Sequence, residues 1–334
     1  MSNRWSAGDA ERGAVLIIVL WVMLALGLLA LSFGAAIRTE IDATRNLVEQ
    51  KRAHYLARAG IDYAVYRIIE SQMAFAQSRQ RMELGPGSVP EVMTGAVTLQ
   101  LGPDLADVQV VDETGKINLN TAPSHLIYNL LITVGMEPGD ADMLTDAIED
   151  WRDPDEFFRP NGAESDYYLS LPQPYYAKNG PFDVPEELLL VRGVTPEIYY
   201  GRKGLTPEGD RVEYFGLGKY LTVFSQVNRI NVNSAPVPVL AAIPGLTYET
   251  ALVIDEMRRQ FPLGDVSTAL TQIPGLPTDT ASYLSTLRSN VYSLISTGRL
   301  SGSEVIGRIN AVIQVGVGIK QYAVLYWNEA NTEL

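Results

Sequence analysis

The chain has no cysteine, and only two histidines, His54 and His125, in 334 residues. Disulfide frameworks, thiol nucleophiles, cysteine-based zinc sites and multi-histidine metal centres are therefore excluded. Positive charge is also short. Lys and Arg number 26 against 39 Asp and Glu, a net of −13, and beyond residue 60 the balance is 19 against 34. Such a surface is a poor match for a phosphate backbone, where affinity comes largely from Lys and Arg displacing counterions. No Walker A loop, G-x-S-x-G elbow, H-E-x-x-H or G-x-G-x-x-G is present. The two histidines read as surface or packing residues, so the chain is not read as an enzyme. Proline is absent until Pro86, which leaves a long opening stretch free to be helical.

What fills that stretch is apolar. Ala14 to Ile37 is a run of 24 uncharged residues, about 36 Å as a helix against a hydrocarbon core of about 30 Å. It exceeds the apolar region of a secretory signal, and Ala35-Ala36 leads into more helix and not into a new mature start. Beyond it Ile41, Val48, Tyr55, Ala59, Tyr66 and Met73 recur at steps of 4 and 7, with Arg38, Glu40, Arg45, Glu49, Arg52 and Arg58 between them. This predicts one helix from about residue 14 to about residue 80, with Gly27, Gly34 and Gly60 as soft points and the recurring apolar residues as its buried stripe. The first half would sit in lipid as an anchor and the second would lie on a soluble domain.

A polar leader, Met1–Gly13, ending in Gly ahead of such a helix resembles the type IV pilins and the pseudopilins of type II secretion. The resemblance implies cleavage after Gly13 by a prepilin peptidase and a methylated mature N-terminus at Ala14. The family usually carries Glu at mature position five, where this chain has Ile18. A buried Glu there needs a cationic partner, thought in the family to be the N-terminal amine of the subunit ahead in the fibre. A subunit lacking it is expected at the tip.

After the helix, strand-like stretches occur at Ala96–Leu101 and Val108–Val111, and again at Val291–Ser296, Ile306–Val317 and Gln321–Trp327. Between the two groups the chain reads as short helices, so the expected class is α+β. A small antiparallel sheet, in two parts (38–116 and 284–334), carries an inserted helical domain over 117–283. The insert contains an echo: Lys116-Ile-Asn118-Leu-Asn120-Thr-Ala-Pro123 recurs as Arg229-Ile-Asn231-Val-Asn233-Ser-Ala-Pro236. Thr121 and Ser234 are candidate N-caps of the helices that follow. A second echo, Ile243-Pro-Gly-Leu246 and Ile273-Pro-Gly-Leu276, opens helix–turn–helix pairs resembling helix-hairpin-helix and SAM-like modules. In nucleic-acid-binding proteins such turns offer backbone N–H groups to phosphate. Here each turn is followed by one acid and no base, Arg258-Arg259 being the only adjacent basic pair in the region. A packing role is preferred, and a membrane-anchored DNA-binding protein is the alternative.

From Glu137 to Asp166 there are 11 acids among 30 residues against Arg152 and Arg159. This is not an EF-hand, because Gly is not at the sixth position of a D-x-[DN]-x-[DN]-G loop and no Glu closes the twelfth. It does supply hard oxygen ligands on a bendable segment. Asp153 and Asp155 are two apart, as are Glu164 and Asp166, and a turn at Pro160–Gly162 would bring the pairs around one cation. The other reading is a solvated acidic surface.

The sequence Asp150-Trp-Arg-Asp153-Pro-Asp155, then Gly162-Ala-Glu164, Tyr167-Tyr-Leu and Val184-Pro-Glu-Glu-Leu188, resembles the GspK family, the large minor pseudopilins of type II secretion. That family also lacks the position-five Glu and carries a helical insert in a pilin-like fold. The resemblance implies calcium, one or two ions, held by Asp153, Asp155, Glu164 and Asp166, with Glu156 and Asp150 as further candidates. Ser165 stands where an acid is frequent. It further implies GspI and GspJ as partners, GspG as the fibre below, and the bacterial inner membrane with a periplasmic C-terminal domain as the location.

Overall fold

A computed structural model of the chain describes residues 7–80, 94–205, 211–214, 216–225, 227–260, 262–266, 278–287, 289–316 and 321–329. It opens with one helix, α1 (Ala7–Gln80), 74 residues long and so about 110 Å from end to end. The helix runs unbroken through Gly27, Gly34 and Gly60. Its early part is apolar enough to cross a membrane, with a mean hydropathy of 2.9 over an 18-residue window and none of that window buried against protein. Met1–Ser6 lie outside the described residues, and at Gly13 and Ala14 only the helical backbone is described.

The strands are β1 (Gly95–Leu101), β2 (Asp104–Asp112), β3 (Ile117–Asn118), β4 (Arg202–Leu205), β5 (Arg211–Tyr214), β6 (Leu221–Thr222), β7 (Ile230–Asn231), β8 (Leu284–Ser285), β9 (Val291–Arg299), β10 (Ile306–Val315) and β11 (Tyr322–Asn328). Five of them form an antiparallel sheet in the order β1-β2-β9-β10-β11. Both β2 and β9 alternate inward and outward residues, the pattern of strands with one face against a core. That core is shared with α1: Ala57, Ile61, Ala64, Val65 and Ile68 pack on Val108, Val110, Leu294, Ile309 and Ile313.

The buried stripe of α1 is therefore Ala53, Leu56, Ala57, Ile61, Ala64, Val65 and Ile68. Ile41, Val48, Tyr55, Tyr66 and Met73, expected inside, are exposed. The reason is the closeness of the contact. A Cβ at Gly298 or Gly307 would overlap the backbone of Ala53, and one at Gly60 would lie 2.6 Å from Ser296 Oγ. At this crossing, around Ala53, Ala57 and Gly60, only small residues fit between helix and sheet, and small residues carry weak hydropathy signals. Ser296 Oγ donates to the Ala57 carbonyl (2.7 Å), satisfying the one polar side chain buried there.

Between β2 and β9 the chain leaves the sheet and forms α2 (Ser124–Thr133), α3 (Pro138–Arg152), α4 (Ser165–Leu169), α5 (Pro196–Tyr200), α6 (Val237–Ala241) and α7 (Tyr248–Gln260) around a second, larger core. The junction is a buried carboxylate. Glu113 accepts from Lys116 Nζ (2.5 Å), from Ser293 Oγ on β9 (2.6 Å) and from Thr222 Oγ1 on β6.

The first echo folds the same way twice. Asn118 Oδ1 accepts from the Asn120 amide (2.8 Å), and Asn231 Oδ1 from the Asn233 amide (3.0 Å). Asn120 exchanges two hydrogen bonds with the backbone of Phe182 (2.7 and 2.9 Å), and Asn233 does so with Leu263 (2.8 and 2.9 Å). Arg152 at the end of α3 donates to the carbonyls of Leu119 and Ala122, and Arg258 near the end of α7 donates to that of Val232. Neither Thr121 nor Ser234 is an N-cap. Those positions belong to Pro123 and Pro236, whose extended φ and ψ start α2 and α6 without a side-chain bond. The Asn turns already set the chain's direction one residue earlier. The Pro244-Gly245 turn joins α6 to α7, with Gly245 at φ +88°, while Ile273–Leu276 lies outside the described residues.

Candidate metal centre

The acidic segment begins where α3 ends. Asp153 caps the helix, its amide bonded to the Glu149 carbonyl (3.0 Å), and Glu164 precedes the first turn of α4 with extended backbone. The loop between them is held from beneath. Asp150, fully buried, accepts the Arg159 amide on both oxygens (3.1 and 3.2 Å), and Asp146 accepts the Asn161 amide (3.1 Å). Gly162 passes so close that a Cβ there would overlap Asp150 Oδ2, and its carbonyl accepts from Arg192 (2.8 Å). Below lie Trp151 and Tyr168 edge to face, with Tyr175 stacked on Tyr168 and Phe182 on Trp151. The Trp of the acidic motif and the second of its paired tyrosines are thus its apolar floor.

Of the six carboxylates expected as ligands or further candidates, three meet, and Asp150 holds the loop from beneath. Asp153, Asp155 and Glu164 each place one oxygen within 4.8 Å of the others. Glu164 is 2% exposed, and neither of its carboxylate oxygens has a hydrogen-bond partner; Asp153 Oδ1 is buried and unpartnered as well. Burial, followed by the charges of Asp150, Asp153, Glu156 and Asp155, pushes the Glu164 carboxyl up to about 7. Burial and the neighbouring Asp155 likewise raise Asp153. The guanidinium of Arg159, 3.6 Å from Asp150 and 3.9 Å from Asp153 and itself partly solvated, offsets this only in part.

The other two stand apart. Glu156 accepts from Ser165 Oγ (3.0 Å), the Ser165 amide (3.3 Å) and Asn179 Nδ2 (2.9 Å). Asp166 is exposed and accepts from the Tyr167 amide (2.7 Å). Asn179 went unread in the sequence. It holds a left-handed backbone (φ +48°), and its Oδ1 is buried without a partner. The signal was available in the Asn179-Gly180 pair, a turn dipeptide in which Asn tolerates positive φ.

A buried carboxylate with no donor costs several kcal/mol unless it is neutralised or coordinated. The donor set here is all oxygen, anionic, and at the end of a rigid helix, which fits a hard divalent cation of the calcium type. The histidines are elsewhere: His54 lies 3.8 Å from Glu329, and His125 bonds Tyr283 (2.9 Å). Of the two arginines beside the helical hairpin, Arg258 is bound to Asp255 and the Val232 carbonyl and Arg259 to Asp255. The two share one carboxylate, which offsets part of their charge and ties Arg258 into the fold, so the phosphate-binding alternative is not favoured.

The family model for the type II secretion system, protein K, matches residues 107–202, a span that includes the second half of β2, the first Asn repeat and the whole acidic loop. The type II secretion system protein K of Pectobacterium carotovorum is 34% identical over 91 residues, 27% of this chain and 28% of that protein. That of Aeromonas hydrophila is 27% identical, the match covering 57% of this chain and 61% of that one. The matches thus span less than two thirds of either relative. A chain in the crystal structure of the GspK–GspI–GspJ complex of enterotoxigenic Escherichia coli superposes with a TM-score of 0.63 at 17% identity, covering 87% of this chain and all of that one. The fold that these similarities accompany is a helix long and apolar enough to span a membrane, laid on an antiparallel sheet and joined to a helical part with an acidic loop. Over residues 107–202 the chain is similar to the type II secretion system protein K family, and its fold is that of a chain in the GspK–GspI–GspJ complex.

Proposed function

We propose that the chain is a minor pseudopilin, cut after Gly13, held in the bacterial inner membrane by the apolar part of α1, and placed at the tip of a periplasmic pseudopilus. In this reading α1 and the five-stranded sheet are a pilin-like frame in two parts (38–116 and 284–334), and residues 117–283 are a domain inserted into it. The observation that carries the reading is the combination of an unbroken 74-residue helix, apolar at one end, with a segment of protein K similarity in the bulk it supports. Such bulk would not fit at every step of a fibre, which restricts it to an end. The exposed outer face of α1, with Tyr55 and Tyr66, is suited to helices of GspI and GspJ type, the partners in the homologous complex. A GspG-type fibre would lie below.

The cation reading belongs to the same proposal. Calcium bound by Asp153, Asp155 and Glu164 would neutralise the orphaned carboxylate and close the loop, its charge being the one thing the site lacks. The experiment is expression in a strain carrying the type II apparatus. N-terminal sequencing should begin at Ala14, and deletion of the gene should abolish export. An intact leader, or a cut near Ala36, would sink the pseudopilin reading.

A further inference from the structure

The acidic loop presents two adjacent, strongly exposed phenylalanines: Phe157 is 85% and Phe158 68% exposed. Adjacent solvated phenylalanines cost solubility and mark contact surfaces when they persist. They are not on a slack loop. The Phe157 amide is bonded to Asp155 Oδ1 (2.9 Å), the Arg159 amide to Asp150, the Asn161 amide to Asp146, and the Gly162 carbonyl to Arg192. A pair held this way loses little conformational freedom on binding, which is what a contact residue needs. One of the groups that fixes it, Asp155, is also in the carboxylate cluster.

We propose that Phe157 and Phe158 form a protein-docking point for an exported protein bearing an apolar pocket rimmed by lysine or arginine. The basic rim follows from charge complementarity: 11 acids lie within the 30 residues from 137 to 166, so a partner with an acidic rim would be repelled. The same charge disfavours an anionic lipid surface. That the partner is an exported protein, and not the fibre, rests on the pseudopilin reading. The main contacts of α1 are with β1, β2, β9 and β10, so the loop belongs to the core that a fibre built on α1 would leave free.

The test uses the full chain in nanodiscs with millimolar calcium. The probes are the purified proteins that disappear from the medium when the type II secretion genes of the same bacterium are deleted. At least one should bind, bind more weakly as salt rises, and lose about 30-fold or more in affinity with the double variant F157S/F158S. The double variant should keep its melting temperature, since both side chains are solvated. Binding that is equal in wild type and variant, no binding of any exported protein, or phenylalanine-dependent binding to phosphatidylcholine–phosphatidylglycerol vesicles instead would overturn the proposal. If the variant still loses its leader and assembles with GspI- and GspJ-type partners, that failure falls on the docking point and leaves the pseudopilin reading intact.

Discussion

Replacing Glu164 by Gln tests the metal centre through its sign. In the folded, cation-free protein the Glu164 carboxyl is pushed up to about 7 from an ordinary 4.5. An acid whose folded value is raised holds a proton in the native state that the unfolded chain has already released. Between about pH 4.5 and 7 the native state therefore binds more protons, and stability falls as pH rises through that window. Each pH unit of separation corresponds to about 1.4 kcal/mol, so the loss approaches 3 kcal/mol by pH 8. Asp150 and Asp153, also raised, act in the same direction. The Gln variant carries no charge at that position. Without cation and at pH 8 it should be more stable than the wild type by up to about 3 kcal/mol, the difference vanishing near pH 4.5.

Calcium should reverse the order. A ligand that binds only the native state stabilises it by about 2.7 kcal/mol at a hundredfold excess over its dissociation constant. The wild type should gain this and the variant little of it, and the wild-type gain should grow with pH as proton competition fades. Denaturant unfolding followed by circular dichroism, with and without chelator at pH 5, 6.5 and 8, measures every term. The reasoning is wrong if the chelated wild type is equally stable at the three pH values relative to Glu164→Gln, or if the variant is the less stable of the two at pH 8 without cation.

Gly162→Ala should lower calcium affinity about 10-fold or more by pushing Asp150 off the Arg159 amide; isothermal titration of the chelated protein reads it directly. Gly307→Ala should cost about 3 kcal/mol or more, because its Cβ meets the Ala53 backbone and neither can move aside; the loss appears in thermal unfolding while calcium affinity stays put. Asn120→Ala should cost about 2–3 kcal/mol by stranding the amide and carbonyl of Phe182, and should weaken calcium binding too, because Phe182 closes the loop region.

The sequence conveyed the sheet almost strand for strand, because each strand alternates or runs apolar and turn residues such as Gly95 and Gly102, both with positive φ, bound the first of them; Gly316, expected inside a strand, has positive φ too and follows the end of β10 at Val315. The helix of α1 was equally legible from length and charge-free composition. Its orientation was not. Tyr55, Tyr66 and Met73 are large and so dominate any periodicity, whereas the closest part of the true contact is made by Ala53, Ala57 and Gly60, residues whose value lies in what they lack, with Ile61, Val65 and Ile68 continuing it. At the acidic loop, pairs of acids two apart were visible, but spacing could not say that Glu156 would turn to Ser165 and Asn179, or that Asp166 would point to solvent. Those outcomes depend on the α3 axis and on a backbone turn at Asn179, neither of which has a periodic signature.

The two Asn repeats explain why the cation loop sits where it does. Each repeat anchors two distant points: an arginine at the end of the following helical pair, and a backbone segment after it. In the second repeat these are Arg258 and Leu263, five residues apart; in the first they are Arg152 and Phe182, thirty residues apart. The same clamp, opened in the first copy, therefore carries the whole acidic loop between its two fixed ends. Closure entropy grows only slowly with loop length once the ends are fixed, so the insertion adds little conformational cost of its own. Its electrostatic cost is another matter: its five acids repel one another and the acids of α3 beside them, and one of the five is buried without a donor. A clamp that fixes the ends cannot remove that repulsion, and a bound divalent cation can. If this is right, chelation should loosen the segment between Arg152 and Phe182 and leave both ends in place. Hydrogen exchange should rise at the amides of Phe157 and Arg159 while that of Phe182 stays protected by Asn120. Exchange rising equally at Phe182 would mean that the cation holds the repeat together, and that the clamp does not.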